Sequence, residues 1–419
     1  MPTNVWQGTA PDVAQIQILT PANTIESGDL FKATIGSKTF TYASTATTIA
    51  SVCSGFVTAW TTLSATEYPE FAEITATNNS TSITLTAVTA GIPFLVTPST
   101  VEADGSTSDN QTFTSTTAGT TSSGANHWNT AGNWSLGTVP VTGDDVYIEN
   151  NTVDIKYGLA QSAVTLTSLN IGETYTGKIG LPNVNASNYY EYRERYLEIG
   201  ATTINSQADS GRIKINTGSI AGTVNVTGTG TATETDIPAF LFKGTNAANV
   251  VNINKGDVGI AFFAGETATV ATLRVAYQSQ VANDVTLVCG SGTTLTTINQ
   301  SGGTVTTASN ATTLTMTAGT HYRGGASTVT TLNVNGGKCY YNSTGTVTTA
   351  HVSAGGELNF SQNLNARTVT TANVYTQGSL QDPFRTVTWT NPIRLQYCAI
   401  GDVQIDVGTH VTLQVAAGP

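Results

Sequence analysis

Charge is scarce in this chain. Of 419 residues, 16 are Lys or Arg and 27 are Asp or Glu, 10% in all, against about 25% in an ordinary soluble domain. The balance is acidic, −11 at neutral pH, and Lys and Arg form no patch, which excludes a nucleic-acid footprint. Acidity here serves solubility. Cysteine is sparse too: Cys53, Cys289, Cys339 and Cys398 are scattered, with no CxxC pair, so they read as single buried thiols rather than a disulfide framework. No apolar run approaches the ~18 residues of a membrane span. The start, Met1-Pro2-Thr3-Asn4-Val5-Trp6, has neither a basic nor an apolar leader region, so the expectation is a protein made in the cytoplasm without a signal peptide.

The chemistry-bearing motifs are missing as well. His127, His321, His351 and His410 occur singly, and no HExxH spacing exists, so neither metal nor cofactor is expected. Gly143-Asp144-Asp145 resembles a calcium turn only loosely, and the glycine-aspartate nonapeptide of β-rolls is absent. There is no Walker loop, dinucleotide fingerprint or nucleophile elbow. The acid pairs on offer, Asp144/Asp145, Glu191/Glu194 and Asp402/Asp406, sit in turn-like contexts rather than the groove that paired-carboxylate catalysis needs. No catalytic residue is assigned.

Threonine is close to a fifth of the chain, and 41 glycines accompany it. This is an all-β composition with many turns. A short phrase recurs: Thr330-Thr331-Leu332-Asn333-Val334 before Gly336, Thr348-Thr349-Ala350-His351-Val352 before Gly355, Thr370-Thr371-Ala372-Asn373-Val374 before Gly378, and Thr312-Thr313-Leu314-Thr315-Met316 before Gly319. Its paired small residues begin at 296, 312, 330, 348 and 370, separated by 16, 18, 18 and 22 residues. Earlier instances are Leu169-Asn170-Ile171, Val224-Asn225-Val226, Val251-Asn252-Ile253 and Leu273-Arg274-Val275. Strand-forming residues with glycine turns at such a period predict a mainly β fold, a right-handed parallel β-helix (β-solenoid). Side chains alternate along a strand, so Leu332 and Val334 should point inward and Asn333 outward.

Residues 1–117 read as a small α+β attachment domain ahead of the helix. Its strand candidates are Val13–Leu19, Asp29–Ile35, Lys38–Ala43, Ala72–Ala76, Ser82–Ala87 and Phe94–Val96, with a hairpin about Asn78-Asn79-Ser80. Ile49, Val52, Cys53, Phe56, Val57, Trp60 and Leu63 fall at helical spacing and form one apolar stripe. Residues 118–162 are a linker and an aromatic N-terminal cap in which Trp128 and Trp134 plug the first coil. The β-helix is assigned to 163–383. Residues 384–419 hold its last rungs and a C-terminal cap that includes Trp389.

The most unusual stretch is Tyr189-Tyr190-Glu191-Tyr192-Arg193-Glu194-Arg195-Tyr196, four of the fifteen tyrosines within eight residues. Tyr and Arg are enriched anchors of protein interfaces, and aromatic faces also stack on sugars. The first reading is a chain–chain contact on an insertion between rungs. The plainer one is a surface loop whose Glu and Arg pair locally, and glycan contact is the third.

The passage Trp128 to Ile148, with Asn133-Trp134-Ser135-Leu136-Gly137, Pro140 and Gly143-Asp144-Asp145, resembles the rung-initiating segment of bacterial and phage β-solenoid proteins. The N-terminal region, with Glu26-Ser27-Gly28-Asp29, the stripe about Trp60, and Ser82 to Ala87 before Ala90-Gly91-Ile92-Pro93-Phe94, is similar to modules of tailed-phage virion proteins. Together these resemblances imply a non-enzymatic virion structural protein of a tailed phage or prophage: a capsid decoration or head fibre, or a tail spike or fibre. A single helix with Thr- and Asn-coated faces gains stability by pairing those faces with symmetry mates, so a homotrimer is expected; the other partners expected are virion proteins of the capsid or tail and a host surface glycan. The rival classes are a polysaccharide-degrading tailspike and a cell-surface adhesin or surface-layer component. Adhesins share the first resemblance but normally carry a signal peptide.

Overall fold

The computed structural model describes residues 2–103, 111–116, 120–276, 285–408 and 412–415. His410 and parts of the expected 1–117, 118–162, 163–383 and 384–419 units lie outside these. The chain is mainly β, and most strands belong to one parallel sheet. Two long columns of strands run through that sheet. In the first, Val146 stands beside Leu169, Leu169 beside Ile204, Ile204 beside Val224, and so on through Val251, Leu273, Ile298, Leu314, Leu332, Ala350 and Ala372. Each of these residues is at most 1% exposed. Burying a Val, Leu or Ile contributes roughly 1.5–3 kcal/mol, so the column forms because an apolar residue recurs at one place in every repeat.

The second column runs from Ile213 through Phe240, Val258, Leu287, Val305, His321, Cys339 and Leu358 to Leu380. Thr293–Thr307 and Ala311–Arg323 are long enough to contribute to both columns. Such shared strands link the columns into one hydrogen-bonded circuit. On the outer side of the first column, Asn205 donates its amide to Asn170, Asn225 to Asn205, and Asn252 to Asn225, at 2.8–2.9 Å. Arg274 then donates to Asn252 at 3.0 Å.

The second column changes chemistry at His321 and Arg323, both 0% exposed. Arg323 Nη1 donates to Thr307 Oγ1 at 3.1 Å, which leaves the Thr307 proton for His321 Nε2 at 3.0 Å. His321 Nδ1 therefore carries a hydrogen and donates to Gln300 Oε1 at 2.9 Å. Burial, and then the Arg323 charge, hold the imidazole well below its ordinary pKa, so it stays neutral.

Residues 16–116 form a different object. One antiparallel sheet orders Ile74–Asn78, Ile83–Ala87, Ile16–Ala22 and Thr112–Thr116; a second orders Lys38–Ala43, Leu30–Ile35 and Thr97–Val101. The helix Ile49–Thr61, capped by Thr48, buries Val52, Cys53, Phe56 and Trp60. Phe56 meets Phe40 at 4.9 Å and Phe113 at 5.3 Å, edge to face.

Two expectations need correction. Phe94–Val96 is not a strand. The side-chain amides of Gln15 and Gln17 bond the backbone N–H and C=O of Phe94 and Val96 at 2.6–3.2 Å, standing in for a neighbouring strand. The strand follows at Thr97–Val101. The start of the expected 1–117 unit also belongs elsewhere: Thr3–Val5 pairs in parallel with Asp145–Tyr147.

Candidate functional site

Leu169 and Ile204 are neighbours in the first column although 35 residues apart, whereas later steps span 16 to 27. The excess holds the tyrosine-arginine segment. Its turn is built locally: Asn185 Oδ1 accepts from Ser187 N at 2.6 Å, Asn188 takes a left-handed φ of 63°, and Val184 bridges Tyr190. Asparagine tolerates that conformation better than most side chains.

The turn delivers Arg193 to the antiparallel unit. Its Nε donates to Glu191 Oε1 at 2.7 Å, Nη2 to Glu191 Oε2 at 3.0 Å and to Tyr189 Oη at 2.8 Å, and Nη1 to the Pro93 carbonyl at 3.1 Å. Glu73 Oε2 lies 3.5 Å from Nη1, and Tyr189 Oη donates to Glu73 Oε1 at 2.9 Å. Tyr192 packs against the aromatic core of the antiparallel unit. Gly36 there has φ +57°, and a Cβ on it would come within 3.0 Å of Tyr192 Cβ, so the close approach needs glycine.

Burial would lower the Arg193 pKa, but the Glu191 hydrogen bond and charge outweigh it and raise it. Burial raises Glu73, with Arg193 opposing. Desolvation likewise lifts the Tyr189 and Tyr192 phenols.

The other half of the segment turns to the parallel sheet. Glu194 accepts from Tyr196 N at 2.9 Å. Arg195 donates to Asn183 Oδ1 and lies 5.0 Å over the Phe263 ring. Tyr196 donates to Glu266 at 3.1 Å beneath Lys243, which is 4.2 Å from its ring. Tyr190 stands apart from both halves at 78% exposure. Seven of the eight segment residues are therefore engaged within the chain. Beside them a cleft of about 240 Å³ is lined by residues that include Pro93, Tyr157, Leu159, Leu181, Arg193 and Glu194. With its charges matched internally, the arrangement can bind two regions of the molecule together. Glu73, Pro93, Phe263 and Glu266, its distant partners, carried no signal in the sequence because no local pattern links residues so far apart.

Trp128 and Trp134 lie at 0% and 2% exposure with ring centroids 4.7 Å apart, and Trp134 Nε1 donates to the Trp128 carbonyl. Trp6 joins them at 5.1 Å, a third member that sequence reasoning did not assign. Trp389 is half-buried against Phe360 at 6.0 Å, and strands Ile393–Leu395, Gln404–Asp406 and Leu413–Val415 follow it.

Asp144 accepts from Val141 N, Asp145 from Ser168 Oγ and Asp402 from Ala399 N. Among the described residues no group of three or more His, Cys, Asp or Glu is placed to hold a metal, and no helix is long and apolar enough to cross a membrane. Comparison with family models, curated proteins and solved structures finds no match to the chain.

Proposed function

We propose that this chain is a non-enzymatic virion structural protein whose parallel columns wind as a right-handed β-helix, displayed on a tailed-phage or prophage particle. The observation that carries the rod is its register. Fourteen strand positions of the first column, from Thr3–Val5 to Leu413–Val415, follow one another in parallel, which at ~4.8 Å per step is about 60 Å of rod. In this reading Thr3–Val5 is the first strand of the rod, the antiparallel unit of residues 16–116 attaches, 118–162 link and cap, 163–383 form the main body of the helix and 384–419 close it. The tryptophan trio serves as the plug at the first coil, where it covers apolar surface that an open end would expose.

The virion assignment is supported by the resemblances of Trp128–Ile148 and of the N-terminal unit. It carries a homotrimer, capsid or tail proteins as partners, and synthesis in the host cytoplasm as parts of the same proposal. The test is twofold. Purified protein imaged by electron microscopy should show rods, with a trimer mass by light scattering, and peptides of this chain should appear in purified particles from the source bacterium. Globular images would sink the rod. Particles free of the chain would sink the virion reading while leaving the rod intact.

A further inference from the structure

Lys214 lies in the parallel sheet, in strand Ile213–Asn216, with its side chain 1% exposed. Lysine is rarely buried so fully. Its ammonium is 3.0 Å from Glu234 Oε1 and 5.7 Å from the Phe263 ring. The other oxygen of that carboxylate, Glu234 Oε2, accepts the backbone N–H of Asn183 at 2.7 Å. The Asn183 side-chain oxygen accepts in turn from the Arg195 guanidinium. One carboxylate thus touches both an amine and the residue bearing an amide, and a cation sits on that amide's oxygen.

From this juxtaposition we propose that Lys214 and Asn183 become joined by a side-chain amide, formed by the folded chain itself. Glu234 takes a proton from Lys214, and the freed amine attacks the Asn183 side-chain carbonyl carbon. Negative charge developing on Oδ1 is stabilised by Arg195, as a preorganised donor should do. The new C–N bond forms and the old Cγ–Nδ2 bond breaks. Of the three protons on Lys214, one stays on the new amide nitrogen and two leave with the Asn183 amino group as ammonium, returning Glu234 to its carboxylate. No oxidant or added reactant is needed. Burial pushes the Lys214 pKa down to about 8, opposed by Glu234, so the neutral amine is accessible near physiological pH. The remaining motion is a swing of the Lys214 chain toward the side chain of Asn183, the residue whose backbone N–H is anchored on the same carboxylate. The link would tie the insertion covalently to the sheet just where it grips the antiparallel unit.

Intact mass of the folded full-length protein decides the matter. The expected result is a mass one ammonia below the sequence, after N-terminal processing, and a branched proteolytic peptide joining the Lys214 and Asn183 segments. Lys214→Arg and Glu234→Gln should each return to full mass. Wild-type protein at full sequence mass overturns the proposal. So does an ammonia loss that survives in Lys214→Arg, because an asparagine succinimide would then account for it.

Discussion

The antiparallel unit of residues 16–116 and the parallel columns after residue 144 bury their apolar side chains by different means. The first uses few, large rings: Phe31, Phe40, Phe56, Trp60, Phe71 and Phe113 converge about one helix. The second uses many small aliphatics, several per row, each beside its counterpart in the next row. A ring cluster concentrates its stabilisation in a few side chains. A column distributes it, so each row depends chiefly on its neighbours. Side-chain amides follow the same division: amide-to-amide bonds repeat along the first column, while the antiparallel unit relies on single long-range bonds such as the buried pair from Gln17 to Val96.

The difference can be broken from either side. Leu332→Asp places an unpaired carboxylate inside the column at a site with 0% exposure, and should cost more than about 4 kcal/mol. Hydrogen exchange should then show the strands after residue 311 deprotected while the helix Ile49–Thr61 stays protected. Loss of both together would mean that the two regions unfold as one. Phe56→Ala attacks the other side and should cost about 3–5 kcal/mol, read as faster exchange in that helix with the columns unchanged.

Arg193→Met cuts the joint between them. It strands Glu191, whose side chain is 0% exposed, at a cost near 3 kcal/mol, visible as lost protection about Glu73 and Pro93 with neither core melted. Asn225→Ala removes two steps of the amide ladder, the bond to Asn205 and the bond from Asn252, and should cost about 2 kcal/mol, measured as a small shift in the denaturation midpoint. An effect several times larger would show that the ladder acts cooperatively.

Much of the parallel region could be read from residues alone. The sequence spacings 16, 18, 18 and 22 between repeats equal the register steps from Ile298 to Leu314, Leu332, Ala350 and Ala372. That equality arises because each repeat contributes one strand to one column, so sequence period becomes spatial register. The hairpin at Asn78–Ile83 and the helix about Trp60 were legible for similar local reasons. Where the chain departs from expectation, a side chain takes a role that local pattern cannot express. Gln15 and Gln17 replace a strand by amide bonds from 79 residues away. His321 and Arg323 occupy inward positions that alternation reserves for apolar residues, and Thr307 and Gln300 in the neighbouring strand, together with the Ser309 carbonyl, make this tolerable. The segment 189–196 lies within the longest register step of the first column after residue 144, but composition could not show that most of its donors are used at home.

The pairing of Thr3–Val5 with Asp145–Tyr147 makes the antiparallel unit a detour: the chain leaves the parallel sheet after its first strand and returns to it at the second. A load applied to that unit would reach the sheet through two covalent tethers rather than one. A single cut in either tether would leave the unit still fastened by the other, and by Arg193. A terminal appendage would be lost at one nick; this one is built to survive it.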